Sequence, residues 1–282
     1  MKRTFYPGDE WLYIRIYAGI KTADKILAEA IYKIFKKSVK DGLAQKCFFI
    51  RYSDPDFHLR IRFLIKDKEN IGKVINLCND KLKPYCSENL ISRIEIGTYE
   101  RELERYGSKY IDISESLFTI DSKYIIELLR YLQQKDENYR WMTALKLINS
   151  LFDDIGYDLD KKYDSITRMS ESFKMEFGFN MYNSKQLNQI YRDRKKQIES
   201  SLNIADQNPV LMEAGKIVAK RSKAIRKLLG TGEMLPHNNL SSYLHMSMNR
   251  LFRSKNRVHE LLIYDFLSRY YKSEIAKLKY KK

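Results

Sequence analysis

No apolar run in the 282 residues approaches the roughly 20 that a bilayer-spanning helix needs, so nothing in the sequence reads as a membrane span. The opening Met1-Lys-Arg-Thr-Phe-Tyr-Pro-Gly8 leads into no signal-like apolar stretch, and the expected location is cytoplasmic. Cysteine is scarce: Cys47, Cys78 and Cys86 are odd in number and lack paired metal-ligand spacing, so they read as reduced thiols, Cys47 within a strand core. No glycine loop of the nucleotide-binding kind precedes a helix, and no His/Cys/Asp cluster has ligand spacing. Neither a metal nor an organic cofactor is called for. Gly/Ser linkers and internal repeats are also missing.

What is present is a globular composition. At 44% hydrophobic content the chain can bury a sizeable core, as one large domain or two smaller ones. The net charge of +16 favours an acidic or anionic partner: nucleic acid, an acidic protein surface or a carboxylate-rich peptide. Lysines are spread along the whole chain, so the excess does not choose among these.

The first hundred residues alternate between strand and helix patterns. Trp11-Leu-Tyr-Ile-Arg-Ile-Tyr-Ala18 has strand composition, and after Gly19 a helical pattern capped at Thr22 runs through Ile26, Leu27, Ala30, Ile31 and Ile34. Cys47 to Tyr52 and His58 to Ile65 are strands joined by the Ser53-Asp-Pro-Asp56 turn, a hairpin. Glu69 to Lys81 is helically spaced, and Ile91 to Tyr99 returns to strand alternation. The βαββαβ order predicts a ferredoxin-like antiparallel sheet with both helices on one face. After Tyr110 the patterns are almost entirely helical: 112–134, 138–152, 165–177, 184–202, 210–229, 240–252 and 257–278. Asn208-Pro209, Gly230-Thr-Gly232 and Pro236 are the clearest punctuation. The expectation is an α+β protein: a sheet region over 1–110 and a helical region over 111–282 packed on it, together one compact domain.

Three polar segments stand out inside otherwise apolar elements. In a strand alternate residues share a face, so His58, Arg60 and Arg62 project to one side and Leu59, Ile61 and Phe63 to the other. If that face is covered, its guanidiniums require carboxylates, from protein or substrate, because buried charge without a partner is costly. Tyr99-Glu-Arg-Glu-Leu-Glu-Arg-Tyr106 could supply both signs: Glu102 and Arg105 are adjacent if the segment is a helical turn, and Gly107 allows a sharp exit. A plain salt-bridged turn accounts for the same residues. His245 shares a helix face with Asn249, and Arg250 follows. An imidazole titrates near about 6.5 and suits proton transfer at neutral pH, although a lone helical histidine is more often a packed residue. His237 and His259 fall where loop or surface positions are expected.

Taken in order, the Trp11-Leu-Tyr opening, Phe49-Ile-Arg-Tyr52 with Asp54-Pro55, His58-Leu-Arg-Ile-Arg-Phe63, Glu104-Arg-Tyr-Gly107, Phe118 with Asp121-Ser122, and His245-Met246 with Asn249-Arg250-Leu251 resemble one family. It is the carboxy-terminal elimination domain of class I lanthipeptide dehydratases, also called the SpaB C-terminal or thiopeptide-type bacteriocin biosynthesis domain. The resemblance covers nearly the whole chain. In that family the full-length enzyme glutamylates serine and threonine of a ribosomal precursor peptide from glutamyl-tRNA, and this domain then eliminates glutamate to leave dehydroalanine or dehydrobutyrine. The resemblance implies a stand-alone elimination subunit of a split dehydratase. Its partners would be the precursor peptide and a separate glutamylating protein, with no direct use of tRNA and a homodimer left open.

Carried over by motif, Arg60, Arg62, Arg105, Glu102 and His245 match the family's elimination residues, with His58, Tyr106, Asn249 and Arg250 as substrate contacts. Ser108 stands where the family often has a second glycine, which leaves the local turn geometry open. Stand-alone relatives also include thiopeptide pyridine synthases, which join two dehydroalanines by a formal [4+2] cycloaddition and release the leader. A leader-binding module without catalysis is the third reading, using the positive surface and an exposed sheet edge.

Overall fold

A computed structural model describes residues 1–203, 208–230 and 239–280. Gly232, Pro236 and His237 lie outside the described residues. The chain divides into two compact units, one of Met1–Gln134 with Lys227–Ser254, the other of Lys135–Arg226 with Lys255–Lys282. The last strand ends at Glu100, and two helices beyond residue 110 belong with the sheet, so the units do not divide at residue 110.

The first unit is built on strands β2 (Trp11–Ala18), β3 (Lys46–Tyr52), β4 (His58–Leu64) and β5 (Ile91–Gly97), in the order β3-β4-β2-β5 with every neighbour antiparallel. That is the order a split βαβ sheet requires. Helix α1 (Ile20–Ile26) passes through a π-helical turn (Leu27–Ile31) into α2 (Tyr32–Lys40), and α3 (Asn70–Ser87) connects β4 to β5. The first helix begins at Ile20 with Gly19 in the cap position, so Thr22 lies inside it and is no cap. α3 runs past the expected Lys81 because Pro84 is accommodated inside the helix.

The period-2 pattern fixes which side chains meet. Leu12, Ile14, Ile16, Leu59, Ile61, Phe63, Cys47 and Phe49 form one buried face with Ile26, Leu27, Ile31, Ile34 and Val74 of the helices. Each large aliphatic or aromatic side chain so buried contributes roughly 1.5–3 kcal/mol. Burial also pushes the Cys47 thiol up, and that of Cys78 up to about 12, so both are inert packing residues.

A second, two-stranded sheet was not foreseen: β1 (Thr4–Phe5) pairs with β6 (Tyr99–Glu100), so Tyr99 leaves the main strand and brings its ring over the sheet's other face. A short helix α4 (Leu103–Tyr106) follows, then α5 (Ile111–Leu132) and, later in the chain, α10 (Leu240–Leu251).

The second unit is helical: α6 (Asn138–Asp154), α7 (Leu159–Glu176), α8 (Met181–Leu202), most of α9 (Pro209–Leu229) and α11 (Asn256–Tyr280). α7 and α8 begin earlier than the apolar spacing suggested because Asp158 and Asn180 cap them, accepting from Lys161 N and Asn183 N. Among the described residues no helix is long and apolar enough to cross a membrane.

Candidate active site

Every residue singled out from the sequence as a site candidate falls in the sheet-bearing unit. The register of the sheet arranges the face opposite its helices in rows: Phe48, Arg62, Tyr13 and Gly97; then Ile50, Arg60, Arg15 and Glu95; then Tyr52, His58, Tyr17 and Arg93. Four guanidiniums and one carboxylate therefore share the strands of this face. Glu95 is occupied by both Arg15 (3.3 Å) and Arg93 (3.0 Å), and accepts from the Tyr17 hydroxyl at 3.1 Å. Arg60 and Arg62 are left without a carboxylate partner among the described residues.

Arg62 is the extreme case. Only 7% exposed, its guanidinium is walled by the rings of Tyr13 (4.9 Å), Tyr99 (4.9 Å) and Phe48 (5.3 Å). Aromatic faces attract a cation, but they accept no strong hydrogen bond. Nε and Nη1 are buried and donate to no group of the described residues. Burial correspondingly lowers the arginine's pKa, while Tyr99, Tyr13 and Glu102 oppose that shift.

Arg60 stacks on Tyr52 at 3.4 Å, and its Nε donates to His58 Nε2 at 3.1 Å. The other ring nitrogen, Nδ1, lies 2.7 Å from the Asp56 carbonyl, which can only accept. Nδ1 therefore carries the proton, and His58 is a neutral imidazole that orients Arg60. Burial lowers its pKa below the ordinary imidazole range, reinforced by Arg60 and Arg15. The unfolded chain thus takes up a proton that the fold refuses. Stability is full above about pH 6.5 and falls as the pH drops through that value. Proton NMR of His58 is expected to show a midpoint below about 6.5; a midpoint at or above it would overturn the neutral assignment.

The Tyr99 to Tyr106 segment separates into two functions. Arg101, which the sequence did not single out, is the anchor: Nε and Nη2 form a fork on Glu115, each at 2.7 Å, and Glu115 is wholly buried on α5. Tyr99 donates to the same carboxylate at 3.0 Å, fixing the ring that covers Arg62. Glu102 and Arg105 do meet, at 3.3 Å across α4, with both side chains about half exposed. Tyr106 is buried, stacked on Tyr243 of α10 and edge-on to Phe118 of α5, and burial pushes its hydroxyl up to about 12. Gly107 makes the exit with φ +76°, the conformation expected of it. Glu102 acts electrostatically on both Arg62 and Tyr106, and Arg62 on Arg250, so these groups share one neighbourhood.

α10 closes the β3 edge of the sheet. Asn249 accepts from Arg51 N and donates to Arg51 O, both at 2.9 Å; Arg250 Nε donates to Phe49 O at 2.9 Å; Phe49 N donates to Ser122 Oγ of α5 at 3.1 Å. Arg250 also pairs with Asp121 at 2.8 Å, both within 2% of full burial. Both the oxygen and the nitrogen of the Asn249 amide are thus engaged by backbone, and among the described residues Arg250 keeps only Nη2 unengaged. His245 sits half-buried one turn earlier on the same helix. Arg15, Glu95, Tyr13 and Tyr99 were missed from sequence. The alternation Trp11, Tyr13, Arg15, Tyr17 against Leu12, Ile14, Ile16 signalled the polar face of β2, but only the pairing register puts Arg15 beside Arg60.

Comparison with known proteins gives the family. Residues 11–271 match the family described as lantibiotic biosynthesis dehydratase C-term, and the chain belongs to that family. It is 29% identical over 163 residues to the nisin biosynthesis protein NisB of Lactococcus lactis subsp. lactis, covering 57% of this chain and 16% of that protein. It therefore spans a small fraction of the length of this relative. The fold is similar to that of the tRNA-dependent lantibiotic dehydratase MibB from Microbispora sp. 107891, with a TM-score of 0.71 at 21% identity over 96% of this chain and 28% of that one. It is also similar to the pyridine synthase TbtD from thiomuracin biosynthesis, with a TM-score of 0.59 at 12% identity over 94% of this chain and 99% of that one.

Proposed function

We propose that the chain is the elimination component of a split dehydratase, removing glutamate from glutamylated serine or threonine of a ribosomal precursor peptide. The observation that carries this reading is Arg62: a buried guanidinium in an aromatic box, with two nitrogens that donate to no group of the described residues, beside a second arginine that has no carboxylate partner among them. A buried cation of this kind favours an anionic ligand that accepts from its free donors, and the glutamyl group supplies a carboxylate both as adduct and as leaving group.

The reaction takes the α-proton from the modified residue, develops enolate charge on its carbonyl, and breaks the Cβ–O bond so that glutamate departs as a carboxylate and a Cα=Cβ bond remains. Arg62 and Arg60 bind the glutamyl group and stabilise the developing negative charge, Arg60 being oriented by His58. Arg105, paired with Glu102 at the half-exposed rim, completes the cationic set with the Tyr106 hydroxyl nearby. His245 moves the proton. Asn249 and Arg250 act by holding β3, and with it the strand register that places Arg60 and Arg62.

Mass spectrometry of a pre-glutamylated precursor peptide incubated with the purified chain tests this. Wild type should give free glutamate and a dehydrated peptide, and His245→Ala should slow the step about 10²–10⁴-fold. Full activity in that variant would remove His245 as the base. The likeness to TbtD, covering nearly the whole of both chains, supports cycloaddition as a second reading. A peptide left glutamylated, while a dehydrated azole-bearing peptide yields a macrocycle and released leader, would select it.

A further inference from the structure

The two edges of the main sheet are treated differently. On β3, side chains from α5 and α10 take up the outward Phe49 and Arg51 backbone groups. β5 at the opposite edge pairs with β2 alone, and its outward backbone makes no hydrogen bond with the described residues. Its apolar side is also open: Ile94 and Ile96 are 40% and 42% exposed. Natural edges are often blunted by charged side chains. Here the edge carries charges of both signs on one face, Arg93 lying 4.0 Å over the Tyr17 ring and both Arg93 and Arg15 reaching Glu95, so a second copy can set opposite signs against them.

We propose that β5 is a self-association edge, pairing antiparallel with β5 of a second copy about a two-fold axis at Ile94. The register is chosen by charge. Directly opposed residues in an antiparallel pair lie on the same face, so the symmetric registers are centred on a residue. Centred on Arg93 or on Glu95, the pair opposes two like charges. Centred on Ile94, each Arg93 faces the other copy's Glu95, Ser92 faces Ile96, and the two Ile94 side chains meet. The result is a continuous eight-stranded sheet in which both polar faces lie on the same side, so each copy adds an Arg93 and a Glu95 beside the other's Arg15–Glu95 cluster. The contact is isologous, as closed two-fold assemblies require. It is also small, under about 1,200 Å² in total, so weak, concentration-dependent association is expected. Nothing in this depends on which reaction the site runs.

Sedimentation velocity of the full chain over a concentration series tests the seam. Wild type should pass from monomer to dimer, whereas Arg93→Glu alone and Glu95→Lys alone should each weaken association at least tenfold. An equimolar mixture of the two variants should recover it, because every cross-strand contact in the mixed pair is again between opposite charges. Ile94→Lys, which sets two lysines face to face on the axis, should be monomeric, and covers the case of Glu95→Lys failing to fold. Wild type remaining monomeric throughout, or a mixture that associates no better than its components, would overturn the proposal. Pairing of the edge with a peptide strand alone would appear as that first outcome.

Discussion

Arg62→Met is expected to lower elimination by about 10²–10³-fold while leaving the protein as stable as wild type or more so. The first half rests on the proposed elimination role, in which Arg62 supplies charge-assisted donors to a developing anion. The second half follows from the surroundings. Among the described residues Arg62 has no carboxylate partner and two of its buried nitrogens donate to no group, while three aromatic rings wall it. Replacing such a group by an unbranched apolar side chain of similar length removes a desolvation cost and keeps the packing; even for a whole buried ion pair the exchange is neutral or gains about 1–4 kcal/mol, and here no partner is left stranded. Stability and function should therefore move in opposite directions, as they do where a site holds strain for its ligand. Thermal unfolding and the glutamate-release assay on one preparation decide the matter. A clear fall in the unfolding midpoint would mean that Arg62 is a structural residue and would remove the main support for the carboxylate site.

The pattern of what could be read from sequence has a physical reason. Periodicity 2 and 3.6 gave the strand and helix order of the first hundred residues, and the order is enough for the sheet topology, since few arrangements satisfy a split βαβ connection. Pairs of two-residue strands have no period, so β1 and β6 were invisible, and with them the placement of Tyr99 over Arg62. Within Tyr99 to Tyr106 the spacing does identify the Glu102–Arg105 pair. It cannot say that Arg101, two residues from Tyr99, is the arginine that turns inward, because that depends on Glu115 arriving from α5. Similarly, Asp121, Ser122, Asn249 and Arg250 stood out in order along the chain, yet only in three dimensions do they become a clasp on one strand. Residues that mark a family can do so because they hold the site's scaffold rather than touch its ligand.

That clasp provides the contrast to Arg62. Asp121→Ala should destabilise the protein by about 3–5 kcal/mol, because it removes one member of a buried ion pair and leaves the other charged. Arg250 is 1% exposed and Asp121 2%, and the carboxylate accepts from Arg250 Nη1 at 2.8 Å and Ser247 Oγ at 3.0 Å. With the acid gone, the guanidinium keeps its bond to Phe49 O but must either stay buried without a countercharge or withdraw and release the β3 edge. At this size the loss corresponds to a drop of roughly 10 °C in the unfolding midpoint. The double variant Asp121→Leu with Arg250→Met, which removes both charges together, should recover most of the loss, and the difference measures how much of it was the stranded cation. Two buried arginines in one unit thus carry opposite expectations, set only by whether the protein itself provides the carboxylate. An Asp121→Ala midpoint within a degree of wild type would show that the pair contributes little to holding β3.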